Sequence, residues 1–341
     1  MPVTYRPPLA SELSECALVW YTAVDDYMAR LGRPLPSPYL DPLLALLAHL
    51  QKTDPGRFLV AVKPTRAVGG PGGEQIVGFG IAAQREHVWF LSQLYVLPAE
   101  QHRGIGRALL TMVLPSAPEA GAADAADVVG GVEGSHRRPG VLATCTDSAQ
   151  PISNALYGKL GIVARMPVFN LVGRPATLST LPRLPEGIEA VALEPRELTA
   201  HRNPAAPGKA ELCQTIDAID RDVLGYAHQP DHDFLRLQGR TGFFYRTSAG
   251  EPLGYGYSSQ VGRFGPVALL DETLMAPVIG HLMRAIEPRG ATTVWIPGAN
   301  DRAMVALLRA GLRIEGFPAM FCWTRPFAAF ERYLPAGLAL L

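Results

Sequence analysis

The fold is decided by residues 88–114, VWFLSQLYVLPAEQHRGIGRALLTMVL. Residues 88–97 are almost wholly apolar or aromatic, with β-branched and aromatic types prominent, and read as a buried strand. Pro98 closes that strand, because proline cannot donate to a ladder and sits at strand margins. Ile105, Leu109 and Met112 then recur at helical spacing, and Pro115 stops the helix they define. Between strand and helix stands Gln101-His102-Arg103-Gly104-Ile105-Gly106. Two glycines there let successive backbone N–H groups converge without interfering side chains. The positive end of the helix dipole adds to them, so the loop suits an anion such as a pyrophosphate. It is not a P-loop, since no Gly-Lys-Ser/Thr follows. Nor is it a dinucleotide fingerprint, lacking the third glycine and the downstream acid.

The composition narrows the class of protein. The chain has 341 residues, suggesting about two domains. It balances 31 basic against 31 acidic residues, which argues against nucleic acid as a partner. Cys16, Cys145, Cys213 and Cys322 are scattered without metal-type pairing, as expected of small buried thiols in a reducing cytosol. Residues 1–12 lack signal-peptide organisation and no apolar run reaches membrane-spanning length, so no membrane partner is expected and a cytoplasmic location is.

The elements around the organising stretch alternate. Residues 3–5 read as a strand. Leu13, Cys16, Ala17, Trp20, Val24, Tyr27, Met28 and Leu31 mark a helix, and residues 43–50 a second one. Strands are expected at 58–62 and 76–83, joined by a flexible Gly69-Gly70-Pro71-Gly72-Gly73 hairpin loop. After the central helix, residues 116–140 are rich in Ala, Gly, Pro and Asp and read as a mobile surface insertion. A strand at 141–146, a helix at 151–160 and a strand at 166–172 complete the first half. Prolines 175, 182 and 185 mark a linker or crossing arm. The second half repeats the order: strand 187–193, helix 210–224, strands 242–247, 253–259 and 264–270, helix 274–286, strand 292–296, helix 303–310 and strand 314–324.

Gln101, Gly104 and Gly106, placed after Leu94-Tyr95-Val96 and before an apolar helix, resemble the acyl-CoA loop of the GNAT superfamily of N-acetyltransferases. The order βααβββαβαβ of the first half is similar to a GNAT domain. The resemblance implies an α/β fold of α+β type: two tandem GNAT-like domains, each a mixed, mostly antiparallel sheet flanked by helices. The domains would span 1–173 and 186–341, joined by linker 174–185. Gln150–Gly161 can be laid on Asn300–Gly311 without gaps, and residues 90–110 on 263–283. In that register Leu274, Pro277 and Ile279 replace Gln101, Gly104 and Gly106, so the second domain is expected to be degenerate and without a cofactor loop.

The activity implied is transfer of an acetyl group from acetyl-CoA, as co-substrate, to a primary amine by direct attack. Leu94, Tyr95 and Val96 would bond the pantetheine arm, with the Leu94 amide polarising the thioester carbonyl. Gln101, His102, Arg103, Gly104, Ile105, Gly106 and Arg107 would cradle the pyrophosphate. Asn154 would either bond the cofactor or cap its helix. Tyr157 matches the family's general acid, a hydroxyl protonated at neutral pH. Glu86, His87 and Glu100 are the nearest acids or bases for deprotonating the acceptor. Antibiotic, polyamine, amino acid, peptide or protein amines are all compatible acceptors. An acyl-CoA-binding regulatory protein is the alternative, and a homodimer in which the second half mediates pairing is a third reading.

Two polar groups stand outside this scheme. His228, Asp231, His232 and Asp233 resemble a metal cluster, but Pro230 interrupts them and they read as a polar loop, with no metal expected. Asp217, Asp220, Arg221 and Asp222 read as an exposed helix face whose acids could meet a cationic amine.

Overall fold

The structure is a computed structural model that describes residues 2–65, 73–115, 140–193 and 209–341. The glycine-rich loop at 69–72 and the insertion expected at 116–139 lie outside the described residues. The fold is mixed α/β, with mostly antiparallel sheets flanked by helices. By internal packing the chain separates into two compact units, Met1–Leu142 and Ala143–Leu341.

The first unit holds strands β1 (Thr4–Arg6), β2 (Phe58–Pro64), β3 (Glu74–Arg85) and β4 (Val88–Val96), side by side in that order and antiparallel throughout. Helices α1 (Leu13–Arg30) and α2 (Asp41–Thr53) separate β1 from β2, and α3 (Ile105–Val113) follows β4. Residues 76–83 of β3 are buried without interruption, as the near-continuous apolar run requires of a strand covered on both faces. Ile105 and Leu109 of α3 pack with Ala61 and Val77, and Leu94 and Val96 join that cluster. Gly78 and Gly80 let α3 approach β3. A Cβ at Gly78 would stand 2.9 Å from the Tyr95 carbonyl, and one at Gly80 3.4 Å from Leu109 Cβ. Trp89 donates its indole N–H to the Val113 carbonyl at 2.9 Å, tying the end of α3 back to the strand that precedes it.

The second unit contains β5 (Val141–Asp147, nearly all of it), α4 (Pro151–Gly158) and β6 (Val163–Gly173), which the sequence order assigns to the first half. It continues with β7 (Ile188–Leu193), α5 (Lys209–Val223), α6 (Gln229–Leu237), β8 (Thr241–Thr247), β9 (Pro252–Ser258), β10 (Phe264–Leu269) and α7 (Met275–Ala285). Last come β11 (Thr292–Pro297), α8 (Asp301–Arg309), β12 (Arg313–Ile314), β13 (Ala319–Trp323) and β14 (Tyr333–Leu334). The expected single strand over 314–324 is thus β12 and β13, broken around Gly316, whose φ of 75° turns the chain.

The reason β5 and β6 belong here is strand exchange. β13 lies between β5 and β6 and pairs antiparallel with both, while β6 pairs along its other edge with β11. Each half therefore lends its last strand to the other: β6 from the first half pairs with β11, and β13 from the second pairs with β5. A second sheet runs β14, β10, β9, β8, β7. The core between α7, α8, β10 and β11 includes Val267, Leu282, Ile296 and Leu307, all fully buried.

Candidate acyl-donor site

The strand, loop and helix that carry the sequence-predicted donor residues lie together in the first unit. Ser92 bulges out of the β3–β4 ladder, since Gln93 faces Ile81 and Leu91 faces Ala82. A bulge adds twist and re-aims the strand beyond it, here Leu94, Tyr95 and Val96. The Leu94 and Val96 side chains join the α3 cluster, whereas the Tyr95 ring stacks edge-on to Trp20 at 6.3 Å and tilts over Phe79 at 5.8 Å. Side chains are thus spent on packing, and the backbone is what this stretch can offer a ligand.

The loop is held open by two left-handed residues, His102 (φ 62°) and Gly104 (φ 82°). Gly104 is the N-cap residue of α3, and a Cβ there would meet nothing within 4 Å, so the cap faces open space. The amide groups that begin a helix have no carbonyl one turn earlier to bond to. Ile105, Gly106 and Arg107 supply them here, and the helix dipole places partial positive charge at the same point. Gln101 braces the loop by donating from its side-chain nitrogen to the Val96 carbonyl at 3.0 Å. Glu100 anchors the loop's base: Lys63 donates to both carboxylate oxygens at 2.6 Å and Arg103 to one at 3.1 Å. The hydrogen bond from Lys63 and the nearby Arg103 charge hold the Glu100 carboxyl below its ordinary range. Glu100 is a structural anion, then, and a poor base for an amine. Glu86, with φ 47°, and His87 sit in the β3–β4 turn, at the opposite end of β4 from the loop.

The second half lacks this loop. A short 3-10 turn, Glu272–Leu274, runs straight into α7, so Pro277 and Ile279 lie inside the helix and both are buried. The predicted linker covers that helix: Arg284 donates to the carbonyls of Leu178, Leu181 and Pro182, and a Cβ on Gly280 would stand 2.4 Å from the Pro182 oxygen.

Asn154 and Tyr157 lie on α4 in the second unit. The Asn154 amide donates to the backbone carbonyls of Asp147 at 3.0 Å and Gln150 at 2.8 Å, which fixes the start of α4 to the end of β5. Tyr157 is buried. The internal repeat is plain at α4 and α8. Gln150 caps α4 by accepting from the Ile152 amide, and Asn300 caps α8 by accepting from Ala303. Beyond the end of each helix the chain passes through a left-handed glycine, Gly161 and Gly311.

Two expectations are overturned. Residues 229–237 are a helix, α6, because Pro230 lies in its first turn, where its missing N–H costs nothing. Asp220 is not on an exposed face but fully buried beside His228 and His232, while Arg221 and Asp222 are exposed as expected. The signal was there: Asp220 falls in the apolar stripe of Cys213, Ile216 and Val223.

Comparison with known proteins agrees with the geometry. Residues 24–137 match the model of the Acetyltransferase (GNAT) family, the stretch that contains β4, the loop and α3. A search of curated proteins gives no match. Among solved structures, a predicted acetyltransferase from Pyrococcus horikoshii superposes with a TM-score of 0.67 at 14% identity, covering 99% of this chain and 96% of that one. A GCN5-related N-acetyltransferase from Sphaerobacter thermophilus gives 0.53 at 14% identity over 96% and 98%. A tandem GNAT protein from the clavulanic acid biosynthesis pathway gives 0.51 at 15% identity over 95% and 99%. At these identities the likeness is one of fold. Among the described residues no helix is long and apolar enough to cross a membrane.

Proposed function

We propose that this protein, which carries a GNAT domain in its N-terminal part, transfers an acetyl group from acetyl-CoA to a primary amine. The observation that carries the reading is the contrast between two matched loops. Gly104 opens α3 to solvent at a helix start whose first amides have no helical acceptor, whereas in the second half the turn Glu272–Leu274 runs straight into α7, with Pro277 and Ile279 buried inside that helix. That contrast favours the first as the seat of a pyrophosphate.

In this reading the amides of residues 102–107 hold the pyrophosphate, with Arg103 and Arg107 as flanking cations. The backbone of Leu94, Tyr95 and Val96 bonds the pantetheine arm, and the Leu94 amide polarises the thioester carbonyl. The acceptor nitrogen bonds to that carbonyl carbon, the carbon–sulfur bond breaks, and the Tyr157 hydroxyl gives its proton to the departing thiolate. The proton shed by the acceptor leaves to solvent and later restores Tyr157, so the enzyme carries no covalent intermediate.

The test is calorimetric titration of acetyl-CoA into the wild-type protein and into Gly104→Pro/Gly106→Ile, which carries the residues aligned in the second half. One site per chain, abolished in the double variant, supports the reading and warrants an amine screen. Two sites per chain, or binding untouched by the change, would refute it.

A further inference from the structure

The second unit holds a side-chain cluster that the transferase reading does not use. Asp220 on α5 and His228 and His232 on α6 are each fully buried, and one ligand-type atom from each lies within 4.8 Å of the others. His232 Nε2 stands 3.1 Å from Asp220 Oδ2, and His228 Nδ1 stands 3.6 Å from the same oxygen. The two imidazole rings stack nearly parallel, 4.4 Å between centroids and 15° apart, and each brings a nitrogen up to the same carboxylate oxygen. Local structure makes this possible. His228 is the N-cap of α6 and His232 lies one turn on, which puts both on one helix face.

We propose that Asp220, His228 and His232 form a buried site for a divalent transition-metal ion of the zinc class. Two imidazoles and one carboxylate are the donor set that zinc and its neighbours prefer. Zinc–nitrogen and zinc–oxygen bonds of about 2.0–2.2 Å place tetrahedral ligand atoms roughly 3.3 Å apart, close to the 3.1 and 3.6 Å between the two imidazole nitrogens and the carboxylate oxygen. The surroundings match a metal centre's outer layer. Tyr257 Oη lies 3.1 Å from His232 Nδ1, and Tyr255 donates to Asp220 Oδ1 at 2.6 Å. A metal would take the Nε2 lone pair of His232 while its Nδ1 faces the Tyr257 hydroxyl, the kind of outer contact that orients a ligating imidazole. Tyr255 and Tyr257 both rise from β9, so the ion would pin the α5–α6 hairpin to that strand. All three ligands are completely buried, so the ion would enter as the chain folds.

The experiment is elemental analysis of the purified full-length chain, followed by stripping with a chelator and titration with cobalt(II) alone. We expect one zinc-class ion per chain. We also expect a visible cobalt d–d band that saturates at the same stoichiometry and is displaced by zinc. Asp220→Asn, nearly isosteric, should lose the band, and Tyr257→Phe should weaken cobalt binding by about 10–100-fold. A folded wild-type protein that contains no transition metal and develops no cobalt band overturns the proposal. So does an Asp220→Asn protein that binds cobalt as tightly as wild type. The wild-type titration is decisive even where a variant does not fold.

Discussion

Phe321 stands directly across from Cys145 on one side and from Met166 on the other, so a residue near the C-terminus fills the gap between two strands of the first half. It is almost wholly buried, and its ring stacks on Phe330 at 5.1 Å. Replacing Phe321 with alanine removes that ring from a position shared by three strands. The expected loss is about 3–5 kcal/mol, read from the denaturant midpoint of the full chain. The same exchange implies that a chain cut at residue 173 leaves β5 and β6 without their common neighbour and yields no folded, soluble product. A stable 1–173 fragment with native circular dichroism would contradict the exchange.

Gly104 and Gly78 should fail for different reasons. A Cβ at Gly104 has room but would have to adopt φ 82°, so Gly104→Ala should cost about 1–2 kcal/mol through backbone conformation. At Gly78 the new methyl would meet the Tyr95 carbonyl at 2.9 Å and Leu109 Cδ1 at 3.4 Å. Overpacking of that kind costs about 1–3 kcal/mol. It also pushes on the backbone that the donor would use. Chemical denaturation with acetyl-CoA titration of both variants checks the pair, and a Gly78→Ala protein as stable as wild type would count against the packing of α3 on β3.

Tyr157→Phe keeps the ring and removes only the hydroxyl. If that hydroxyl protonates the thiolate, kcat should fall about 100-fold or more while KM for acetyl-CoA stays put. An unchanged kcat would assign Tyr157 to packing alone.

Acid sensitivity follows from Glu100. Its carboxyl is held below the ordinary value of 4.5, first by the hydrogen bond from Lys63. A depressed carboxyl contributes stability that is fully present above the unfolded value and is lost as pH falls through the folded one. The wild type should therefore lose stability below about pH 4.5. Lys63→Met should be less stable near neutrality and show a shallower acid limb, because Glu12 and Asp271, also held low by their own partners, still titrate. Parallel acid limbs in the two proteins would argue against the pair.

Much of this was legible along the chain. The periodicities of α1, α3 and α7, the strands β2 to β4, and the glycine turn that opens α3 all follow from local preference and from which face each segment must bury. Gly104 could be singled out because a left-handed cap leaves few other choices. The repeat was visible too, since Gln150 and Asn300 do the same capping work with different side chains.

Tertiary structure alone decided the rest. Nothing in residues 163–173 or 319–323 says which strands they will neighbour, because a ladder bonds backbone groups common to every residue. Exchange between the halves is therefore silent in sequence. Asp220, His228 and His232 read as solvated polar groups by composition, since aspartate is almost never fully buried unless paired and histidine is only intermediate. Their burial depends on α5 and α6 folding against β9, where Tyr255 bonds Asp220 and Tyr257 lies against His232. Local chemistry determined the elements and the loop; long-range contacts determined which strands pair and which charges leave water.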